Sequence, residues 1–497
     1  MEQKQISVLT RRQFVRQAAC AAVGTAAMTS AIRDLRFMNA AMAQSDVTDY
    51  KALVCVFLAG GNDSNNLIIP TVQSEYDSYA AIRTDVLAIP LSGAPPNQLV
   101  LPIAPLNSDG HDYGLHPACP ELAALFGEGK LAVLFNTGTL VFPMTRAQYQ
   151  AGVLQKPPQL FSHADQVTQW QTSVPDQAPL TGWGGRCADL LAAVQPGAPI
   201  SLSVTLASAN TFEVGNLLSQ YSVSTSGAIS LALPGSGVAL TNRMAALTNI
   251  LGMPTPNLQT RAYGDVAQHA IRTGDLLNNA IAATAAANYW TTPFPTTITP
   301  PTGGAAFNPS SPTLSSQLKM IARLIEAGSR SVANGGFGMK RQIFFCQVGG
   351  YDLHTNQTPG PGSTIFGSHA NLLAELSQDL NAFQRAMEQL GLANNVTAFT
   401  SSDFGRTFPC NGQGSDHGWG SHHLIVGGAV KGRKTYGKFP VLTVNGPDDT
   451  NTGRWIPTTA CDQYFATLAT WFGVDNDKLA TVFPNLGRFA TPNLGFV

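Results

Sequence analysis

Ile343-Phe344-Phe345-Cys346-Gln347-Val348-Gly349-Gly350-Tyr351-Asp352-Leu353-His354 is the stretch that decides the fold. A mostly apolar run of strand length ends in two glycines and then delivers an aspartate and a histidine. Twice more an apolar run ends in small residues and delivers an aspartate. Leu53–Leu58 runs into Ala59-Gly60-Gly61-Asn62-Asp63-Ser64-Asn65-Asn66, and Val396–Thr400 runs into Ser401-Ser402-Asp403-Phe404-Gly405-Arg406. Leu131–Phe135, Ile200–Thr205 and Leu424–Val426 are further runs of the same kind. Short runs rich in Val, Ile and Phe read as strands buried on both faces. Between them lie helical patterns, the clearest placing Leu372, Leu376, Leu380, Phe383, Met387 and Leu390 at steps of three and four, with Ser368 to cap the start and Gly391 the end. Alternating strands and helices predict an α/β fold with a mostly parallel central sheet flanked by helices. Ligands of such sheets bind beyond the carboxyl ends of the strands.

The N-terminus reads as a targeting segment. Thr10-Arg11-Arg12-Gln13-Phe14 precedes an apolar, small-residue stretch from Ala18 to Ile32, and Ala41-Met42-Ala43 offers a small-x-small cleavage site. Paired arginines followed by Phe resemble the twin-arginine subclass of export signals. The stretch is shorter than the ~20 apolar residues needed to span a bilayer. Residues 1–43 are therefore expected to be removed, leaving a periplasmic or extracellular chain with no integral membrane segment.

Charged residues make up 12% of the chain and balance to a net −1, so a basic nucleic-acid-binding footprint is missing. Without Cys20 six cysteines remain, and their spacing excludes paired-thiolate zinc motifs. Cys55 and Cys346 sit in apolar runs and read as core; Cys119, Cys187, Cys410 and Cys461 are candidates for disulfides. From 206 to 288 the chain is rich in Ala, Ser, Thr, Leu and Asn, and Trp290 to Pro312 is crowded with Pro, Thr and Gly. The expected organisation is an N-terminal part of the α/β domain over 44–205, an inserted region and linker over 206–312, and a C-terminal part over 313–497.

Each of the three strand ends delivers an aspartate to the ligand edge, where a carboxylate is costly to desolvate without compensation. A divalent metal is the simplest compensation for Asp63, Asp352 and Asp403 together. Histidines agree: His354 shares a loop with Asp352, and Asp416-His417-Gly418-Trp419-Gly420-Ser421-His422-His423 leads into another strand. Mixed Asp/His ligation suits zinc, manganese or iron rather than calcium. His111 and His116 are weaker candidates. Ser162, in Phe161-Ser162-His163-Ala164-Asp165, is a helix N-cap or a nucleophile at an electropositive helix end, with Ser64 as its rival.

As an ordered set, Gly60-Gly61-Asn62-Asp63, Ser162-His163, Gly182-Trp183-Gly184-Gly185-Arg186, Gly349-Gly350-Tyr351-Asp352-Leu353-His354, Ser402-Asp403-Phe404-Gly405-Arg406-Thr407 and Asp416-His417-Gly418 resemble a bacterial family of exported proteins. That family is similar to the alkaline phosphatase, sulfatase and cofactor-independent phosphoglycerate mutase superfamily. The resemblance implies an alkaline phosphatase-like α/β fold and phosphoryl or sulfuryl transfer at one or two metals. By position it implies Asp63, Asp352, His354, Asp403 and His417 or His422 as ligands of zinc or manganese. Ser162 and His163 would serve catalysis, with Arg406 as an anion clamp. Phe404 departs from the pattern by standing where the superfamily has a metal-binding histidine.

Two functions follow as expectations: a metal-dependent hydrolase acting on a small anionic phosphate or sulfate ester, or a degenerate binding or assembly protein retaining at most a structural metal.

Overall fold

The computed structural model describes residues 47–92, 99–193, 195, 197–228, 233–284, 290–301 and 303–497. The export signal expected over residues 1–43 lies outside the described residues.

Three strands set the frame. β1 (Lys51–Leu58) is central, with its residues beyond Lys51 buried, because KALVCVFL presents apolar side chains to both faces. Each fully buried Val, Leu or Phe there contributes about 1.5–3 kcal/mol relative to exposure. In the register of the sheet Leu58 stands opposite both Ser402 and Val348, which are the last residues of the parallel neighbours. The loops carrying Asp63, Asp352 and Asp403 therefore leave the sheet at one level.

The other strands are β2 (Ile68–Pro70), β3 (Leu101–Ile103), β4 (Tyr113–Leu115), β5 (Leu131–Gly138), β6 (Ser203–Thr205), β7 (Tyr221–Ser224), β8 (Gly227–Ala228), β9 (Arg341–Val348), β10 (Val396–Ser402), β11 (Ser421–Val426), β12 (Lys434–Tyr436) and β13 (Thr459–Ala460). The main sheet runs β12-β5-β11-β10-β1-β9-β6-β7-β8, with β13 also on β5, and β2-β4-β3 form a small separate sheet. Within the main sheet pairing is parallel except at β10/β11, β11/β5 and β7/β8, and the small sheet is antiparallel. The chain is thus a mixed α/β protein with a large, mostly parallel central sheet. Helices Leu314–Ser329 and Ser368–Gln389 pack against each other and the sheet, burying Leu318, Ile321, Leu376, Leu380 and Phe383.

Several expectations change in detail. The run Ile200–Thr205 is strand only over Ser203–Thr205, although Ile200 and Leu202 still enter the core. The helix at 368 is capped by Gly367 at a φ of 97°, and Ser368 is its first residue. The middle region stays with the sheet through β7 and β8 before turning into helices Gly237–Leu251 and Leu258–Ala282. All six described cysteines are free thiols, so the disulfide candidates are unpaired. Among the described residues no helix is long and apolar enough to cross a membrane.

Candidate metal centre

Close approach of backbones builds the site. Gly60 has a φ of +116°, and a Cβ there would lie 2.4 Å from the Asp352 backbone nitrogen. Only glycine lets the first two strand-end loops lie together. The Gly60 N–H donates to Asp403 Oδ1 at 3.0 Å, which ties in the third. Arg406, fully buried, completes the frame. Its Nε donates to the Gly61 carbonyl (3.0 Å) and Nη1 to that of Ser415 (3.1 Å). Its Nη2 reaches the carbonyls of Gly60 (2.9 Å) and Tyr351 (3.0 Å) and Oδ1 of Asp352 (2.5 Å).

Above this frame three imidazoles face inward. His354 Nε2 lies 2.8 Å from His417 Nε2, and His163 Nε2 lies 3.1 Å from the same atom. Asp352 joins them: Oδ1 is 3.1 Å from His354 Nε2 and 3.3 Å from His417 Nε2, and Oδ2 is 3.4 Å from His163 Nε2. The ligand atoms of His163, Asp352 and His417 all lie within 4.8 Å of one another, a possible metal-binding triad, with His354 against two of them.

The outer nitrogens decide the protonation pattern. His163 Nδ1 sits 2.6 Å from Asp403 Oδ2, His354 Nδ1 2.9 Å from Asp416 Oδ1, and His417 Nδ1 2.7 Å from the Phe161 carbonyl. Each outer partner is an acceptor, so each Nδ1 carries the proton and each Nε2 turns a lone pair to the centre. Three lone pairs and a carboxylate facing one another are repulsive until a cation lies between them. Carboxylate or carbonyl behind each histidine is the arrangement that raises ligand basicity at metal sites. The donor set of three imidazole nitrogens and one carboxylate therefore fits a divalent ion.

Electrostatics agree. Burial pushes the Asp352 carboxyl up, but the Arg406 hydrogen bond and charge, with His163 and His354, carry it below its usual value. Burial holds His417 below the ordinary histidine value despite its bond to Phe161, so it is neutral and able to coordinate at pH 7. The Asp352 side chain is 47% exposed, so the cluster opens to solvent.

Of the residues singled out from sequence, the structure brings His163, Asp352, His354 and His417 together. Asp403 stands one layer behind, against His163. Asp63 is turned away: it forms a buried ion pair with Arg83, accepts from Gln357 Nε2 at 2.5 Å, and receives Asn65 Nδ2 at 3.3 Å. Burial would raise its pKa, but the Arg83 charge, then His369 and the Gln357 bond, lower it. His422 lies on β11, where Nδ1 accepts from the Asn136 N–H at 3.0 Å and the ring stacks on Phe439. Arg406 spends its donors on the loops it ties. Ser162 occupies the N-cap position of helix His163–Thr172, and its hydroxyl donates to Asp165 Oδ2 at 2.6 Å. Ser64 Oγ accepts from the His422 N–H, and His116 Nδ1 from the Ala118 N–H. His111 pairs with Glu75 at 2.5 Å. Phe404 packs beside two of the imidazoles, 4.8 Å from His163 and 4.6 Å from His417 between ring centres.

Sequence reasoning missed the carbonyl of Phe161, whose φ of 75° aims it at His417. It also missed Arg83 and Gln357, and Arg454, whose Nε donates to the His417 carbonyl at 2.7 Å. No local pattern marks any of these.

A family profile described as "Protein of unknown function (DUF1501)" matches residues 50–481. The chain belongs to that family. Every residue of the DUF1501 site described above falls inside the matched segment. A search of curated proteins finds no match.

Proposed function

We propose that this DUF1501 protein is an exported, metal-dependent hydrolase of alkaline phosphatase-like fold, acting on a phosphate or sulfate ester. His163, Asp352, His354 and His417 would hold one divalent ion, zinc or manganese. The observation that carries the reading is the set of three inward Nε2 atoms, each backed at Nδ1 by an acceptor. An ion there supplies Lewis acidity, polarising an ester oxygen and acidifying water.

The chain's own residues supply the rest. Arg406 holds Asp352 in place, while Asp403 and Asp416 orient His163 and His354. Ser162 immediately precedes the ligand His163, with its hydroxyl held by Asp165, and would be the nucleophile of this reading. A second reading, a metal-stabilised binding protein, is favoured by Phe404, which fills the space beside His163 and His417, and by the closure of Asp63 onto Arg83.

The test is metal content of purified, reloaded protein together with turnover of phosphate monoesters, phosphate diesters and sulfate esters. One ion per chain with turnover supports the hydrolase. One ion without turnover, and a lower melting temperature on chelation, supports the scaffold. Metal far below one ion per chain rejects both.

A further inference from the structure

Arg454 is a guanidinium anchored at the metal centre through the backbone of one of its histidines. Its loop is fixed by the buried carboxylate of Asp449. Oδ1 of Asp449 accepts from the backbone N–H groups of Asn451 (3.2 Å), Gly453 (2.8 Å) and Arg454 (2.9 Å), and Oδ2 from that of Asn445 (2.8 Å). The Arg454 side chain is held at two further points. Nε donates to the His417 carbonyl at 2.7 Å, and the guanidinium lies 4.2 Å over the Phe161 ring. Phe161 in turn immediately precedes Ser162 and His163. The two terminal nitrogens have no hydrogen-bond partner among the described residues. Arg406 is the reverse case, since its donors are all engaged with carbonyls and Asp352.

The two terminal nitrogens give Arg454 a function. A divalent ion at the centre would add positive charge beside them, and the guanidinium would offer an incoming anion N–H groups that no described residue occupies. A planar, preorganised fork with free N–H groups is suited to two oxygens of a phosphate or sulfate.

We propose that Arg454 binds the anionic phosphoryl or sulfuryl group of the substrate at the metal centre, the task that Arg406 is not free to perform. This rests on the metal-centre reading above. The experiment is calorimetric titration of zinc-loaded full chain with inorganic phosphate, alongside zinc affinity, for wild type, Arg454→Met and Arg454→Lys. Wild type binds phosphate, and Arg454→Met binds it about tenfold or more weakly, the loss expected for a charge-assisted hydrogen bond. Zinc affinity stays unchanged, and Arg454→Lys recovers part of the loss. Equal phosphate affinity in wild type and Arg454→Met overturns the assignment and leaves the metal centre standing, as does zinc-loaded wild type that binds no phosphate. A fall in zinc affinity in Arg454→Met that matches the loss of phosphate binding also overturns it, because the effect would then run through the lost bond to His417. Wild type that takes up no zinc overturns this assignment and the metal centre together.

Discussion

His163 Nδ1 and Asp403 Oδ2 lie 2.6 Å apart although 240 positions separate them in the chain. Asp403 is also gripped by the Gly60 N–H, so one carboxylate both locks a strand-end loop and fixes which nitrogen of His163 points inward. Removing it frees the imidazole to rotate or change tautomer. Asp403→Ala is expected to weaken zinc binding by about 10–100-fold, the usual cost of losing such a partner, and Asp403→Asn by less. Competition with a chromophoric chelator measures it. Wild-type affinity in Asp403→Ala would mean that His163 is oriented by something else.

Gly60→Ala tests the close approach of the loops. The added Cβ falls 2.4 Å from the Asp352 nitrogen in a backbone conformation that side chains rarely adopt. The loop of Asp352 and His354 must move away, costing about 1–3 kcal/mol of stability. The expected variant has a lower denaturation midpoint and weaker metal binding together. A stability loss with metal affinity untouched would separate the loop packing from the centre.

The Asp63–Arg83 pair is closed from solvent, and Arg83 Nη1 also reaches the carbonyls of Thr407 and Phe408 at 3.2 and 3.1 Å. Arg83→Met leaves a buried carboxylate without its cation, so a loss of about 3–5 kcal/mol is expected. Asp63→Asn added to that variant should recover a large part of it. Chemical denaturation of both variants checks the order. If Asp63→Asn alone abolishes metal binding in a folded protein, Asp63 turns to the ion when one is present.

Acid should destabilise the protein from about pH 6.5 downward, the ordinary histidine value. Burial holds His422 and His423 down to about 3 and His369 to about 4. Between their ordinary and folded values the unfolded chain takes up protons that the native chain refuses, so stability falls as pH falls. Each contributes about 1.4 kcal/mol per pH unit over that window. Burial moves two acids the other way, Glu213 to about 8 and Asp462 to about 7. Their stabilisation is complete below the ordinary carboxyl range and is lost as pH rises through those values. Denaturation midpoints against pH should therefore flatten between about 3 and 6.5 in His423→Gln and between 4.5 and about 8 in Glu213→Gln. Limbs identical to wild type would show that these groups titrate as they do in the unfolded chain.

The sheet was readable because β1, β9 and β10 are short, apolar and stopped by small residues, and that local pattern is what buries a strand on both faces. That three aspartates would emerge together was readable for the same reason. Which of them turns inward was not. Asp63, Asp352 and Asp403 have similar sequence surroundings, yet Arg83 draws Asp63 aside while Gly60 and His163 claim Asp403. The choice is made by partners tens to hundreds of positions away. His417 and His422 illustrate the same limit. His422 falls on β11, where its ring packs into the sheet's surroundings, while His417 stays on the loop before it. The contribution of His163 from a helix start depends on the turn at Phe161, whose left-handed backbone no residue type announces.

The level ends of β1, β9 and β10 also make the centre a property of a long span of chain. The four inward side chains come from segments that begin near 163 and end near 417, and they meet where the strands are in register and Arg406 ties the loops. No shorter stretch of the chain holds even the His163–Asp352–His417 triad. The full donor set exists only when residues across that whole span are folded together, so full-affinity capture of an ion would report the folding of the span.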